Sequence, residues 1–517
     1  MRAHWAPHLP ILAALLGGAL AYGIAAPSIG WVSDDYALVY GAPLKPWPGL
    51  EEAFLAGGEG HFSVHRLLCY PFLGYVGGML GPAASHVLQV LLHLGCGWLL
   101  YALLRRLRWP ATDAAWAAAG FLVVPWVSQP VYWWSSVCTI VSTIFIMVAA
   151  HAYLAWSRDG GRWLWACLGC IFVALLFYEL WLGSFVLFYG LELYLRSTGS
   201  HTAKDSWGRI AWHALRRSWP VLIPYALWMV AFLAFHRAAT HQPTFSLLRV
   251  PVVFLSIHLR AIHWLIDTPW GSALVHGLAA IVSVGGIAVV AALAITLRAC
   301  RNQRPQLDSA RASIPNLPAT LLLAWSTFLA ARLVFILQGG IATHTRHNYG
   351  AAMAVAIAGA ALLRWMEDRC SAGGARRAVR WGAGAGLAIC AVSSAGIGVH
   401  YRATSAAEEA TCRQLVPVLP ALPPDCMVLV VGDPTGTRGE LGYFSEENGI
   451  WLERRLQAYR PGVAAFAAAT VAADGDFLLI ETAARTSAVT PPHRAARDQV
   501  ALFRWQDRRL VSDRSGL

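Results

Sequence analysis

The chain has 517 residues, of which 57% are hydrophobic and only 13% charged, whereas soluble proteins carry about 25% charged residues. Apolar stretches of membrane-crossing length recur through residues 1–400, and a span needs about 20 mostly apolar residues to cross roughly 30 Å of hydrocarbon, which excludes an ordinary soluble protein. The net charge of +12 does not point to nucleic acid, because the basic residues sit between apolar segments, in the pattern that orients membrane proteins.

Hydropathy predicts eleven spans, at approximately 8–28, 83–104, 112–129, 136–156, 163–181, 183–196, 218–236, 272–297, 317–338, 350–364 and 381–400. Residues 1–28 also have the look of a signal peptide, but they read as an uncleaved first span because the alternation closes only with the N-terminus inside. The inside segments then carry basic clusters such as Arg105, Arg106 and Arg108, or Arg376, Arg377 and Arg380. The outside loops, longer in total, hold only Lys45, Arg66, Arg237, Arg249, Arg260 and Arg346. An odd number of spans places the C-terminal region outside. Two further apolar stretches, 66–81 (broken by Pro71 and several glycines) and 250–268 (with His258, Arg260, His263 and Asp267), read as helices at the outer interface.

Beyond residue 400 the character changes. CMVLVVGD, DFLLIET and VALFRW are strand-like runs bounded by turn residues, and GIWLERRLQAY has helical periodicity. The expected architecture is a mainly α polytopic membrane domain over 1–400, with a first extracytoplasmic loop at 29–82, followed by a small α/β extracytoplasmic domain over 401–517. The cysteines show no CxxC or metal-ligand spacing; most lie in spans, while Cys412 and Cys426 fall in the C-terminal region and can pair if it faces an oxidising compartment.

Candidate chemistry gathers outside. Asp34 and Asp35 follow the first span directly, and a carboxylate held there can take a proton from an attacking hydroxyl or amine; a solvated loop start or a helix cap is the plainer alternative. The same loop continues to His61, His65 and Arg66, a cationic group suited to a lipid phosphate or simply to lipid headgroups. Glu179 and Arg332 lie near the outer ends of spans five and nine, where ionisable side chains face either an aqueous cavity or each other as a structural pair. Arg346 and Tyr349 belong to the last outer loop, where they either meet a phosphate or form a short polar connection. His86 and His93, seven apart on one face of span two, read as packed, hydrogen-bonded histidines. Phosphate-cradling glycine loops, HExxH, GxSxG and nucleotide fingerprints are missing from the sequence.

The Asp34-Asp35-Tyr36 segment after the first span, the interfacial HFSVHRLL, the SHVLQVLLH entry to a span ending in basic residues and the Arg346–Tyr349 loop together resemble the GT-C superfamily of membrane glycosyltransferases. The similarity is greatest to the bacterial relatives of protein O-mannosyltransferases. The resemblance implies transfer of a sugar from a polyprenyl-phosphate donor at the outer face of a bacterial cytoplasmic membrane, with inversion at the anomeric carbon. It implies Asp34 or Asp35 as the base, and Arg66, with Arg346 second, as stabiliser of the departing phosphate. The chain departs from the family in having Arg66-Leu67-Leu68 where relatives often show Arg-Pro-Leu, and Tyr178 where many have Lys. The implied partners are the donor lipid, the membrane and a glycan, lipid or protein acceptor. No cofactor is predicted and no metal ligands stand out, a carboxylate-bound divalent ion being left open. A transporter or flippase, and a non-catalytic scaffold, are the alternatives of other classes.

Overall fold

The computed structural model describes residues 8–32, 35, 39, 68–69, 71–198, 206–236, 270–302, 317–338, 345–370 and 373–423, together with seven strands further on. Among them the protein is mainly α. Five helical stretches are long and apolar enough to cross a membrane: Leu9–Ser28, Phe72–Arg106, Trp134–Asp159, Tyr349–Arg369 and Gly373–Ala421. Two bent pairs raise the number to seven, against the eleven expected. Several of the other expected spans fall on shorter helices, including Arg162–Phe177 and Leu317–Leu333.

The first helix, α1 (Leu9–Gly18), begins with Pro10 in its first turn, where a missing N–H costs nothing, and widens into a π turn at Ala19–Gly23. A second π turn, Phe72–Val76, leads into α2 (Gly77–Arg106). Gly81, with φ of +71°, interrupts α2 immediately before Pro82. Proline disfavours helical geometry in the residue before it, and glycine alone takes positive φ without penalty, so the chain kinks there and separates 72–80 from the span proper.

The next helices are α3 (Ala111–Val123), the short α4 (Ser128–Tyr132), α5 (Val137–Asp159) and α6 (Arg162–Phe177). Gly160 and Gly161, both at positive φ, make the tight reversal between α5 and α6. Then follow α7 (Ser184–Thr198), the amphipathic α8 (Trp207–Ser218) and α9 (Ile223–His236).

The stretch expected as one span over 272–297 is instead two helices, α10 (Trp270–Ile281) and α11 (Val284–Asn302), bent by 89°. Hydropathy registers apolarity but not direction, and Gly285-Gly286 gives the chain freedom to turn. Last come α12 (Leu317–Gln338), α13 (Tyr349–Arg369) and the 43-residue α14 (Gly373–Leu415), which runs through the expected domain boundary at 400. The hydropathy falls at Arg402, but RATSAAEEATCRQL remains rich in good helix formers, so the helix continues past its apolar part.

Small residues set the closest helix packing. A Cβ on Gly396 would strike the Ala273 carbonyl and one on Gly277 the Val392 carbonyl, so α10 and α14 are in backbone contact. On the arginine-rich side, Arg380 of α14 grips Glu367 of α13 with two bonds, at 2.5 and 2.7 Å.

The three strand-like runs are strands: β1 (Met427–Val431), β4 (Phe477–Glu481) and β6 (Val500–Gln506). The others are β2 (Ala465–Ala467), β3 (Thr470–Asp474), β5 (His493–Ala496) and β7 (Arg509–Ser512). One sheet has the order β2-β1-β6-β7, with β1 parallel to both neighbours and β6 antiparallel to β7. The antiparallel β3-β4-β5 forms another. The helical run GIWLERRLQAY lies outside the described residues, as does Cys426. Val428 and Val430 of β1 share a buried apolar cluster with Cys412, Leu415 and Leu419, and with Trp31, Leu73 and Trp134. The β1 strand therefore packs on the end of the bundle where the first helix emerges.

Candidate functional site at the helix breaks

Several helices break off at that same end. After α3 the backbone turns extended at Val124, passes Pro125–Val127 and α4, turns extended again at Trp133 and re-enters helix through Trp134–Ser136. Likewise α6 stops at Phe177, with Tyr178 extended and Glu179–Trp181 in a single 3-10 turn, while α13 is preceded by the turn Thr345–Asn348. Such breaks free backbone groups that would be costly inside hydrocarbon, and in the 124–136 stretch buried side chains satisfy several of them.

Gln89 of α2 is central. Its amide nitrogen donates to the Pro130 and Trp133 carbonyls, both at 2.7 Å, which leaves its oxygen facing His86 Nδ1 at 3.0 Å. His86 thereby bridges Gln89 and the Gly30 carbonyl, the latter at 3.1 Å from Nε2. The indole of Trp133 donates to the Val32 carbonyl at 3.1 Å and that of Trp134 to the Leu73 carbonyl at 2.9 Å. Gly30 N–H donates to Ser405 Oγ of α14 at 2.9 Å. The chain leaving α1 is thus fastened to α2, to the 125–136 connector and to α14.

Asp35 completes this fastening. It is fully buried; Oδ2 accepts from Val32 N–H at 3.1 Å and Oδ1 from Ser135 N–H at 2.7 Å. One oxygen closes its own turn, and the other holds the turn that starts α5.

Tyr349, at the start of α13, is also fully buried. Its hydroxyl donates to His93 Nδ1 at 2.7 Å, and His93 Nε2 donates to the Leu122 carbonyl at 3.3 Å. Both histidines of α2 are therefore packed and hydrogen-bonded, and the Tyr349 hydroxyl is engaged inside the bundle.

Arg346 lies in the Thr345–Asn348 turn, which packs against Pro125–Val127 and α4. In the same turn Asn348 is 2% exposed, and among the described residues neither its amide nitrogen nor its oxygen has a hydrogen-bond partner; the Trp126 indole N–H is in the same condition. Glu179 and Arg332 are both buried, on elements that pack together: Gly183 sits so close to α12 that a Cβ there would lie 2.5 Å from the Ala330 carbonyl. Asp34, His61, His65 and Arg66 lie outside the described residues. The structure thus brings the Asp35 segment and the Arg346 turn to one connector, 125–136.

Gln89 and the Ser135 backbone were not among the residues singled out from sequence. The i, i+3 spacing of His86 and Gln89 is the signal that would have found the first, since it puts both on one face of α2. Among the described residues, no group of three or more His, Cys, Asp or Glu side chains is placed to hold a metal ion. No protein-family model matches the chain, and comparison with curated proteins finds no match.

Proposed function

We propose that the protein is a glycosyltransferase, moving a sugar from a polyprenyl-phosphate donor to an acceptor at the extracytoplasmic face of a bacterial cytoplasmic membrane. The proposal takes the eleven-span topology, with the N-terminus inside and the C-terminal α/β domain outside. The observation that carries it is the meeting of the Asp35 segment and the Arg346 turn on the 125–136 connector. That arrangement supports a carboxylate and a cation serving one site.

The double bonding of Asp35 argues that it is an anchor, because both its oxygens are occupied by backbone donors. The neighbouring Asp34 is then the base. It takes the proton of the acceptor hydroxyl as the oxygen attacks the anomeric carbon from the face opposite the phosphate, and the bond from that carbon to the phosphate oxygen breaks. The electron pair leaves with the lipid phosphate, where Arg66, His65 and Arg346 offset the growing charge. His61, Glu179 and Arg332 are assigned to the surrounding polar wall. The Asn348 amide and the Trp126 indole N–H, buried on touching elements with no hydrogen-bond partner among the described residues, can hydrogen-bond sugar hydroxyls.

A second reading, a lipid flippase or transporter, is favoured by the 89° break between α10 and α11, since transporters use interrupted helices. The deciding experiment is lipid and glycan profiling of cells lacking the protein, paired with transfer assays on membranes supplied with labelled prenyl-phosphate sugars. Loss of one glycan together with accumulation of its lipid donor, and transfer abolished by Asp34→Asn with Asp35→Asn, is the expected result. Unchanged transfer in the double variant refutes the base assignment, and altered lipid distribution without transfer favours the flippase.

A further inference from the structure

Two cysteines far apart in sequence meet at the bundle end described above. Cys69 stands one helical turn before Leu73, and Cys138 one turn after Trp134. Because the Trp134 indole donates to the Leu73 carbonyl, the two segments are fastened side by side. The thiols, both free, lie within one buried cluster and interact electrostatically, Cys69 being 5% and Cys138 2% exposed. Gly77 continues the same contact, since a Cβ there would come within 2.6 Å of Trp134 Nε1.

We propose that Cys69 and Cys138 form a disulfide that staples the first outer loop to the head of α5. This goes beyond sugar transfer and shares with it only the outward orientation of this end. Two thiols held in contact within a rigid cluster have little entropy to lose on joining, and an oxidising compartment keeps such a bond formed. The oxidant is a protein dithiol-disulfide of that compartment. One cysteine thiolate attacks its disulfide to give a mixed disulfide, and the second displaces the carrier. One S–S bond forms in this chain, and the carrier leaves as a dithiol with two electrons and two protons. The reaction belongs to the stage before the Cys69 segment docks, because afterwards both cysteines are buried. The bridge fixes the chain three residues beyond Arg66 in sequence, which makes it a positioning device for the loop that carries that cation.

The test counts free thiols by mass-tagged maleimide on the full chain, denatured in SDS without reductant, so that folding of the variants does not matter. If the bridge exists, Cys69→Ser and Cys138→Ser each gain one tag over the parent, because each releases the other's partner. The double variant then returns to the parental number. If both thiols are free, each single variant loses one tag and the double loses two, which overturns the proposal. A C-terminal alkaline phosphatase fusion run alongside separates the causes. Tags lost with an active fusion refute the bridge alone, and tags lost with an inactive fusion refute the outward orientation and the sugar-transfer reading with it.

Discussion

Replacing Asp35 by asparagine separates an anchoring carboxylate from a reacting one. The wild-type side chain receives Val32 N–H at 3.1 Å and Ser135 N–H at 2.7 Å with no exposure to solvent. Hydrogen bonds to a charged group contribute about 1.5–3 kcal/mol each. Asparagine keeps one accepting oxygen but turns an NH2 towards the other backbone donor, so one bond weakens to a neutral one and one N–H is left buried and unmet. The expected loss is about 2–4 kcal/mol. With the unfolding entropy usual for proteins, about 3 kcal/mol lowers the melting temperature of a chain this long by roughly 3 °C. Tryptophan fluorescence of detergent-purified protein reads this directly, since Trp133 and Trp134 sit beside Ser135. Asp34→Asn is expected to abolish transfer while melting with the parent. If Asp35→Asn melts with the parent and alone abolishes transfer, the anchor and the base have been assigned to the wrong aspartates.

Gln89→Leu removes the donor to two carbonyls and the partner of His86, and is expected to cost about 3 kcal/mol or more, read as a lower melting temperature than for Asp35→Asn. Gly396→Ala drives a Cβ into the Ala273 carbonyl and is expected to reduce the yield of folded protein; Gly382→Ala on the same helix, where a Cβ meets nothing, leaves it unchanged. Tyr349→Phe loses one buried bond to His93, about 1 kcal/mol, and is expected to lower stability without changing donor binding, whereas Arg346→Ala weakens donor binding in a filter assay with labelled lipid sugar.

Much of the helical framework follows from local signals that act over a few residues. Pro82 after Gly81, the Gly160-Gly161 pair and the apolar runs before Pro125 each dictate a kink, a reversal or a stop without reference to distant residues. The strands follow equally from β-branched runs such as MVLVV. The bend between α10 and α11 has its signal in Gly285-Gly286, but a hydropathy window averages across it. The extension of α14 past residue 400 has no hydropathy signal, because apolarity ends there while helix propensity continues, and the two have different physical causes. The site was visible only as residue types. That Asp35 binds the backbone of Ser135, or that Tyr349 reaches His93, depends on packing between segments 100 and 256 residues apart, for which a single sequence carries no local term.

The same dependence on distant packing bears on where the proposed reacting groups would sit relative to anchoring ones. A break in a membrane helix is tolerated only when its freed carbonyls and N–H groups find partners, and here Gln89, Trp133, Trp134 and Asp35 supply them. Those partners fasten residues 29–32, Asp35 and the 125–136 connector to α2, which is the rigid support that a reacting side chain requires. Chemistry placed one residue along from such an anchor inherits its position while remaining free to meet a substrate. Under the proposed reaction, Asp34 beside the backbone-bonded Asp35, and Arg346 three residues before the His93-bonded Tyr349, would each be a reacting group close in the chain to one fixed in the bundle.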